Sequence, residues 1–288
     1  MKTVYLEKHD LHATLTCWIA CLMWLDWAAS KEGLVGYYYW PREHSIVPLA
    51  DPAMFAREPN MFDWWFLQPN ATLLNLKPGQ RPPQDETWLW ESMPPGNLCP
   101  GKWPMGENTY AWYQRLKIRP EIVARADALV AKYGLDLNNT IGLSWRGCES
   151  RADLERDRPS EEIENYFPPI DQFLTSEPDL QIFATAEEQG IAEKVQARYP
   201  GRTVIIPEFW TVPLMHGSDA ADARGHSNWC NPASGYERGV LTCLLISILS
   251  RCKYYIKNKS NMSNIAQWIK GGQGVVRIGS RAHAEFWG

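Results

Sequence analysis

The chain has no GxGxxG turn and no GxxxxGK[ST] loop, so neither a glycine-fingerprint dinucleotide site nor a P-loop is supported. A GxSxG stretch is also missing, which removes the nucleophile elbow of an α/β-hydrolase. No CxxC pair occurs, and the seven cysteines are spread without a framework. That usage fits reduced thiols in a reducing compartment. His226 and Cys230 have a loose metal-like spacing, but no second pair completes it, so no metal is expected. Asp219 and Asp222 in "SDAADARGH" read as part of a polar loop. Positive charge is not in excess: the net charge is -4, which argues against nucleic acid as the main partner. A local basic pocket for a phosphate remains compatible with it. Long apolar runs are missing as well. "ATLTCWIACLMWL", residues 13–25, is too short for a membrane span. Glu7, Asp10 and Asp26 around it do not suit a secretion signal, although small residues follow at Ala28, Ala29 and Ser30. It reads as a buried first helix, and the expected location is cytoplasmic.

What the chain does have is length for two domains and a high count of tryptophan, 15 in 288 residues. Tryptophan fills cores and also stacks on flat ligand faces such as sugars. "TVYLE" reads as a strand, residues 13–30 as a helix stopped by Gly33, and "GLVGYYYW" as a second strand. This β-α-β opening favours a parallel sheet. The aromatic segment "NMFDWWFLQP" reads as packing against that sheet, and residues 69–106 as long loops with only short elements. "PEIVARADALVAKYG" is a helix bracketed by Pro120 and Gly134.

A second unit follows, in the order strand "TIGLSW", a helical stretch interrupted at Pro168 and Pro169, strand "DLQIFATA", a helix ending at Gly201, and strand "RTVIIPE". An apolar helix "ERGVLTCLLISILSRC", strand "KYYIKN" and a helix beginning in "KSNMSNIAQWI" complete it. The expected architecture is α/β: two Rossmann-like domains, residues 1–135 and 136–288, facing a cleft.

Three strand ends of the second unit should meet at one sheet edge. The first carries Arg146, Gly147, Cys148 and Glu149, the second Thr185, Ala186 and Glu187, the third Asn258 to Ser263. Ligands of open α/β sheets bind outside the carboxyl ends of strands. Ser and Asn there can cap a helix, or its N–H groups can hold a phosphate. Arg146 would either fork onto a diphosphate or pair with Glu149 or Glu187. Asn258-Lys259-Ser260 and Asn261-Met262-Ser263 are also N-glycosylation sequons, and a glycan there would cover the same loop.

"IGLSWRGCES" resembles the "IGVHxRGTD" or HxRR motif of the fucosyltransferase superfamily, which includes α1,6-fucosyltransferases and protein O-fucosyltransferases. "NMFDWWFLQP", "QIFATAEEQGIAEKVQARYPGRTVI" and "GYERGVLTCLLISILSRCKYYIKNKSNMS" are similar to further segments of that family in the same order. The resemblance implies two facing Rossmann-like domains in the GT-B manner. It implies inverting, metal-independent transfer of a sugar, fucose above others, from a nucleoside diphosphate such as GDP to a glycan or other hydroxyl. No cofactor beyond the donor is implied. Arg146 stands at the family position that grips the diphosphate, Glu149 where Asp is usual, and Ser260, Asn261 and Ser263 in the donor loop. Asp153 and Glu155 lie where some members place a carboxylate base, although "RADLERDR" also reads as a solvated helix face. His226 is a further candidate for donor or acceptor contact. Ser144 replaces a family His, and Leu245 and Lys253 replace family acids. These departures leave a second reading open, a degenerate member that binds nucleotide or glycan without turnover.

Overall fold

The structure is a computed structural model that describes residues 2–7, 15–40, 58, 60–77, 80–82, 86–89, 114–145, 162–186, 189–209, 235–258 and 260–278. Its contacts divide the chain into two units. The first comprises residues 1–123, 233–243 and 285–288; the second comprises residues 124–232 and 244–284.

The first unit opens with β1 (Thr3–Glu7), α1 (Leu15–Lys31) and β2 (Val35–Tyr38). α1 ends as expected, at a turn where Gly33 takes a φ of 70° that only glycine adopts without strain. The aromatic segment forms a short helix α2 (Phe62–Trp65) running straight into β3 (Phe66–Leu67). β4 (Glu86–Leu89) and β5 (Lys117–Ile118) follow. β1 lies between β2 and β4, parallel to both, while β3 and β5 form a separate antiparallel pair. β4 is one of the short elements expected among the loops of residues 69–106.

Aromatic residues build the core of this unit, as their density suggested. Tyr37, Tyr38, Trp40, Phe62, Trp65 and Phe66 are all essentially inaccessible. The Trp65 indole N–H donates to the Tyr236 carbonyl at 3.1 Å. A Cβ on Gly239 would stand 2.2 Å from Trp65, so that position admits only glycine.

Two carboxylates are sunk into this aromatic layer. Asp26 of α1 is 2% exposed and accepts from Tyr38 Oη at 3.0 Å and Asn70 Nδ2 at 2.7 Å, with Arg115 at 3.6 Å. Desolvation outweighs these partners and raises its pKa to about 6. Asp63 accepts from Gln68 Nε2 at 2.7 Å and Asn60 Nδ2 at 2.8 Å. Burial raises its pKa to about 7. Asn60 and Gln68 also bind the free edge of β2. Gln68 accepts from Tyr38 N–H at 3.1 Å and donates to Tyr38 O at 2.8 Å, and Asn60 accepts from Trp40 N–H at 2.9 Å. Side-chain amides therefore satisfy an edge that a neighbouring strand would otherwise cover.

The second unit takes α3 (Pro120–Lys132) from residue 124 onward. A 3₁₀ turn, Leu137–Asn139, then leads into β6 (Thr140–Trp145). Another 3₁₀ turn, Ile163–Tyr166, precedes α4 (Phe167–Ser176). Pro168 and Pro169 open α4 rather than interrupt a helix, because the first turn needs no proline N–H. β7 (Gln181–Ala186), α5 (Gln189–Arg198) and a short β8 (Thr203–Val204) follow. α6 (Gly235–Leu249), β9 (Tyr254–Lys257), α7 (Asn261–Lys270) and β10 (Val275–Arg277) complete the unit, α6 entering it from residue 244. β10 is a further strand that the sequence reading missed.

All five strands are parallel, in the order β10-β9-β6-β7-β8. This is the doubly wound order, first strand central and the sequence reversing direction between β6 and β9. Ile141, Leu143, Trp145, Ile182, Ala184, Ala186 and Ile256 face an apolar layer with Tyr166, Ile170, Ile191 and Val195.

Asp63 and Asp26 bind their protons more tightly folded than unfolded. The unfolded chain releases them near pH 4, so stability falls as pH rises through about 4 to 7 and levels off above the folded pKa values. Thermal melts at pH 5 and pH 8 should show this loss. In Asp63→Asn the difference between the two melts should shrink; equal differences would remove Asp63 as a source.

Candidate functional site

The reversal of strand order places the carboxyl ends of β6 and β9 side by side. In doubly wound sheets this is where ligands bind. α7 begins at once after β9. Ser260 is its N-cap, with extended backbone at φ -146° and ψ 154°, and its Oγ accepts from Ser263 N–H at 3.1 Å. The cap carbonyl accepts the first helical bond, from Asn264 N–H at 2.9 Å.

A chain of buried hydroxyls ties this cap to the sheet. Tyr255 Oη lies 2.8 Å from Ser144 Oγ, Ser144 Oγ 3.0 Å from Ser263 Oγ, and Ser263 Oγ 2.7 Å from Ser260 Oγ. Ser144 is 3% exposed, Ser263 1% and Tyr255 fully buried. Burial pushes the Tyr255 phenol well above its ordinary pKa, so it is neutral and can donate along the chain. Next to this chain, buried Lys257 of β9 donates through Nζ to Asn264 Oδ1 in the first turn of α7. The hydroxyls of Ser260 and Ser263 are therefore turned toward the protein. What α7 can offer outward is the N–H end of its first turn, with the positive end of the helix dipole.

The same architecture occurs in solved structures. An α-1,6-fucosyltransferase NodZ soaked with GDP-fucose superposes with a TM-score of 0.54 over 93% of each chain, at 14% identity. POFUT1 in complex with GDP superposes with a TM-score of 0.51 over 96% of this chain and 97% of that one, at 8% identity. Fucosyltransferase NodZ from Bradyrhizobium gives 0.50 over 93% and 92%, at 14% identity. The chain has the fold of these fucosyltransferases. No protein-family model matches it, and no curated protein matches it in sequence.

Within this fucosyltransferase fold, Ser260 and Ser263 come together with Ser144 at the expected edge. Asn261 is the first residue of α7. Thr185 of β7 pairs in register with Ser144. Arg146, Glu149, Asp153, Glu155, Glu187 and His226 lie outside the described residues, as do Asp219, Asp222 and Cys230. Leu245 is half-buried within α6. Lys253 stands before the amino end of β9 and pairs with Glu177. At about 3.3 Å per residue, that is roughly 13 Å along the strand from Lys257. Lys253 therefore lies at the opposite sheet edge from α7's start.

Sequence reading took "KYYIKN" only as a strand and passed over Tyr255 and Lys257. The strand period of two could have found them. Tyr255 and Lys257 share one face, Ile256 the other, and a lysine inside a buried strand needs a partner.

A histidine, as in the motif this strand resembles, cannot simply be placed at position 144, because Tyr255 and Ser263 already occupy its surroundings. Ser144→His should lower stability by roughly 1–3 kcal/mol through overpacking. A melting temperature equal to or above that of the unaltered chain would contradict this packing.

Proposed function

We propose that the chain is a glycosyltransferase, inverting and metal-independent, that takes a GDP sugar, fucose above others, and transfers the sugar to a glycan or other hydroxyl acceptor. One observation carries this reading. The amino end of α7 follows β9 at the reversal of strand order, in a fold shared with a fucosyltransferase soaked with GDP-fucose and with POFUT1 in complex with GDP.

Loss of the nucleoside diphosphate develops negative charge, which needs a positioned cation and N–H donors. Arg146, the first residue after β6, supplies the cation in this reading, and residues 261 and 262 supply the N–H groups. Ser260 and Ser263 act by holding that turn against the sheet, rather than by lending hydroxyls. Glu149 and His226 contact the donor in this reading. The acceptor hydroxyl must give up a proton, and Asp153 or Glu155 is the base.

A second reading, binding without turnover, draws on one observation. Ser144, where the family has His, is fully engaged by Tyr255 and Ser263 and offers no group to a donor. Release of free sugar from GDP-fucose separates the two: an enzyme releases it slowly without acceptor, a binding module holds it intact.

Arg146→Ala should weaken GDP about 10- to 150-fold, the worth of a charged hydrogen bond of roughly 1.5–3 kcal/mol. Arg146→Lys should restore little, since an ammonium cannot reproduce the planar two-point contact. The melting temperature should hardly change. A large loss of stability with unaltered GDP affinity would show instead that Arg146 pairs internally.

A further inference from the structure

The sheet of the first unit has a carboxyl edge of its own. β1 is central, and the chain goes from it to β2 on one side and later to β4 on the other, a reversal of the kind beside which ligands bind. One face of this sheet packs on α1, where Tyr38 Oη bonds Asp26. The other face carries Tyr5 and Tyr37, which are register partners, and Tyr39, the first residue past β2. The Tyr5 ring centre lies 5.0 Å from that of Tyr37 and 5.4 Å from that of Tyr39. Tyr5 Oη donates to Pro82 O at 2.9 Å, which holds the neighbouring Arg81 over this face. The Arg81 guanidinium stands 5.1 Å from the centre of the Tyr39 ring.

Arg81 is partly buried, and its Nη2 is shielded from solvent without a hydrogen-bond partner among the described residues. It makes no ion pair among them either. Tyr37 gives it no counter-charge: burial, with Asp63 beside it, holds that phenol well above its ordinary pKa and keeps it neutral. Asp63 is engaged by Gln68 and Asn60. A shielded charged donor with no acceptor is costly, and contact with one ring face offsets only part of that. The fold thus keeps an unpaired cation beside the end of β2, where a ligand can reach the sheet.

We infer that Arg81, with Tyr39, binds the carboxylate of an acidic glycan on the first unit. The glycan rests on the transferase reading above, whose acceptor it specifies; the carboxylate stands on Arg81 independently of that reading. A guanidinium presents a planar fork that a carboxylate matches with two parallel hydrogen bonds. A carboxylate is also flat, and needs less room beside the Tyr39 ring than a tetrahedral phosphate. Tyr39 is half-buried, so its ring can meet a sugar face and its hydroxyl a sugar hydroxyl.

Calorimetric titration of the full chain with trigalacturonate, with its methyl ester and with GDP tests this. The acid should bind, and the ester, which keeps the rings but not the charge, should bind on the order of ten-fold or more weakly. Arg81→Gln should weaken the acid about 10- to 150-fold, with a melting temperature that hardly changes, since no hydrogen bond or ion pair is lost. Arg81→Lys should recover little, because an ammonium lacks the fork. Equal affinity for acid and ester, or unaltered affinity for the acid in Arg81→Gln, would overturn the inference. If Arg81→Gln does not fold, Arg81→Lys decides, and wild-type affinity for the acid there would overturn it. A chain that binds GDP but not trigalacturonate refutes the acidic glycan and leaves the donor reading standing. One that binds trigalacturonate through Arg81 but not GDP refutes the donor reading and upholds the carboxylate site.

Discussion

The second unit depends on a polar seam between the sheet and α7. Four hydroxyls, from Tyr255, Ser144, Ser263 and Ser260, run in one line of contacts through a space closed to solvent. Lys257 and Asn264 continue it. An apolar interface tolerates small slips of a helix, because one contact replaces another at little cost. A buried hydroxyl chain does not, since a shift strands donors and acceptors away from water at about 1–3 kcal/mol each. The seam therefore fixes the register of α7 on the sheet. It fixes the helix at its amino end, beside the reversal of strand order. The apolar layer on the other face, around Ile141, Leu143 and Ile182, supplies burial but not this specificity.

The first unit solves a related problem by different means. Its three-stranded sheet leaves β2 at an edge, and the chain finishes that edge with the amides of Asn60 and Gln68. Those amides are themselves held by Asp63. Asp26 ties α1 to Tyr38 and Asn70, and a Cβ on Gly36 would stand 2.6 Å from its Oδ1. Ionising either carboxylate costs desolvation, so this unit loses stability as pH rises through about 4 to 7.

Strong periodicity was readable without the structure. β1, α1, β2, α3, β6, β7, α5, α6, β9 and α7 all lie where alternation, helical spacing and end signals put them. β4, a short element not located within its loops, and β10, not expected at all, have four and three residues, too short to show a period, and are strands because β1 and β9 offer them an edge. β8 is shorter than the apolar run "TVIIPE" suggested, since only Thr203 and Val204 pair with β7. At the site, the capping tendency of Ser260 and the polar character of "KSNMSN" were legible from residue type. That Ser144 would bond Ser263 was not, because it joins residues 119 apart in the chain. Nor could residue type tell a ligand-facing serine from one facing inward. The resemblance pointed to the sheet edge where β6, β9 and α7 meet, and there Ser260 and Ser263 bond to each other and to Ser144.

The functional account then reduces to one spatial claim: an anionic donor sits at the amino end of α7, next to the carboxyl end of β6. A crystal structure of the chain with GDP tests it directly. The account predicts the diphosphate against the N–H groups of residues 261 and 262, with the Arg146 guanidinium on its other side and Ser260 and Ser263 still bonded to each other. GDP bound elsewhere, or at this edge with Arg146 turned away into an internal ion pair, would contradict it.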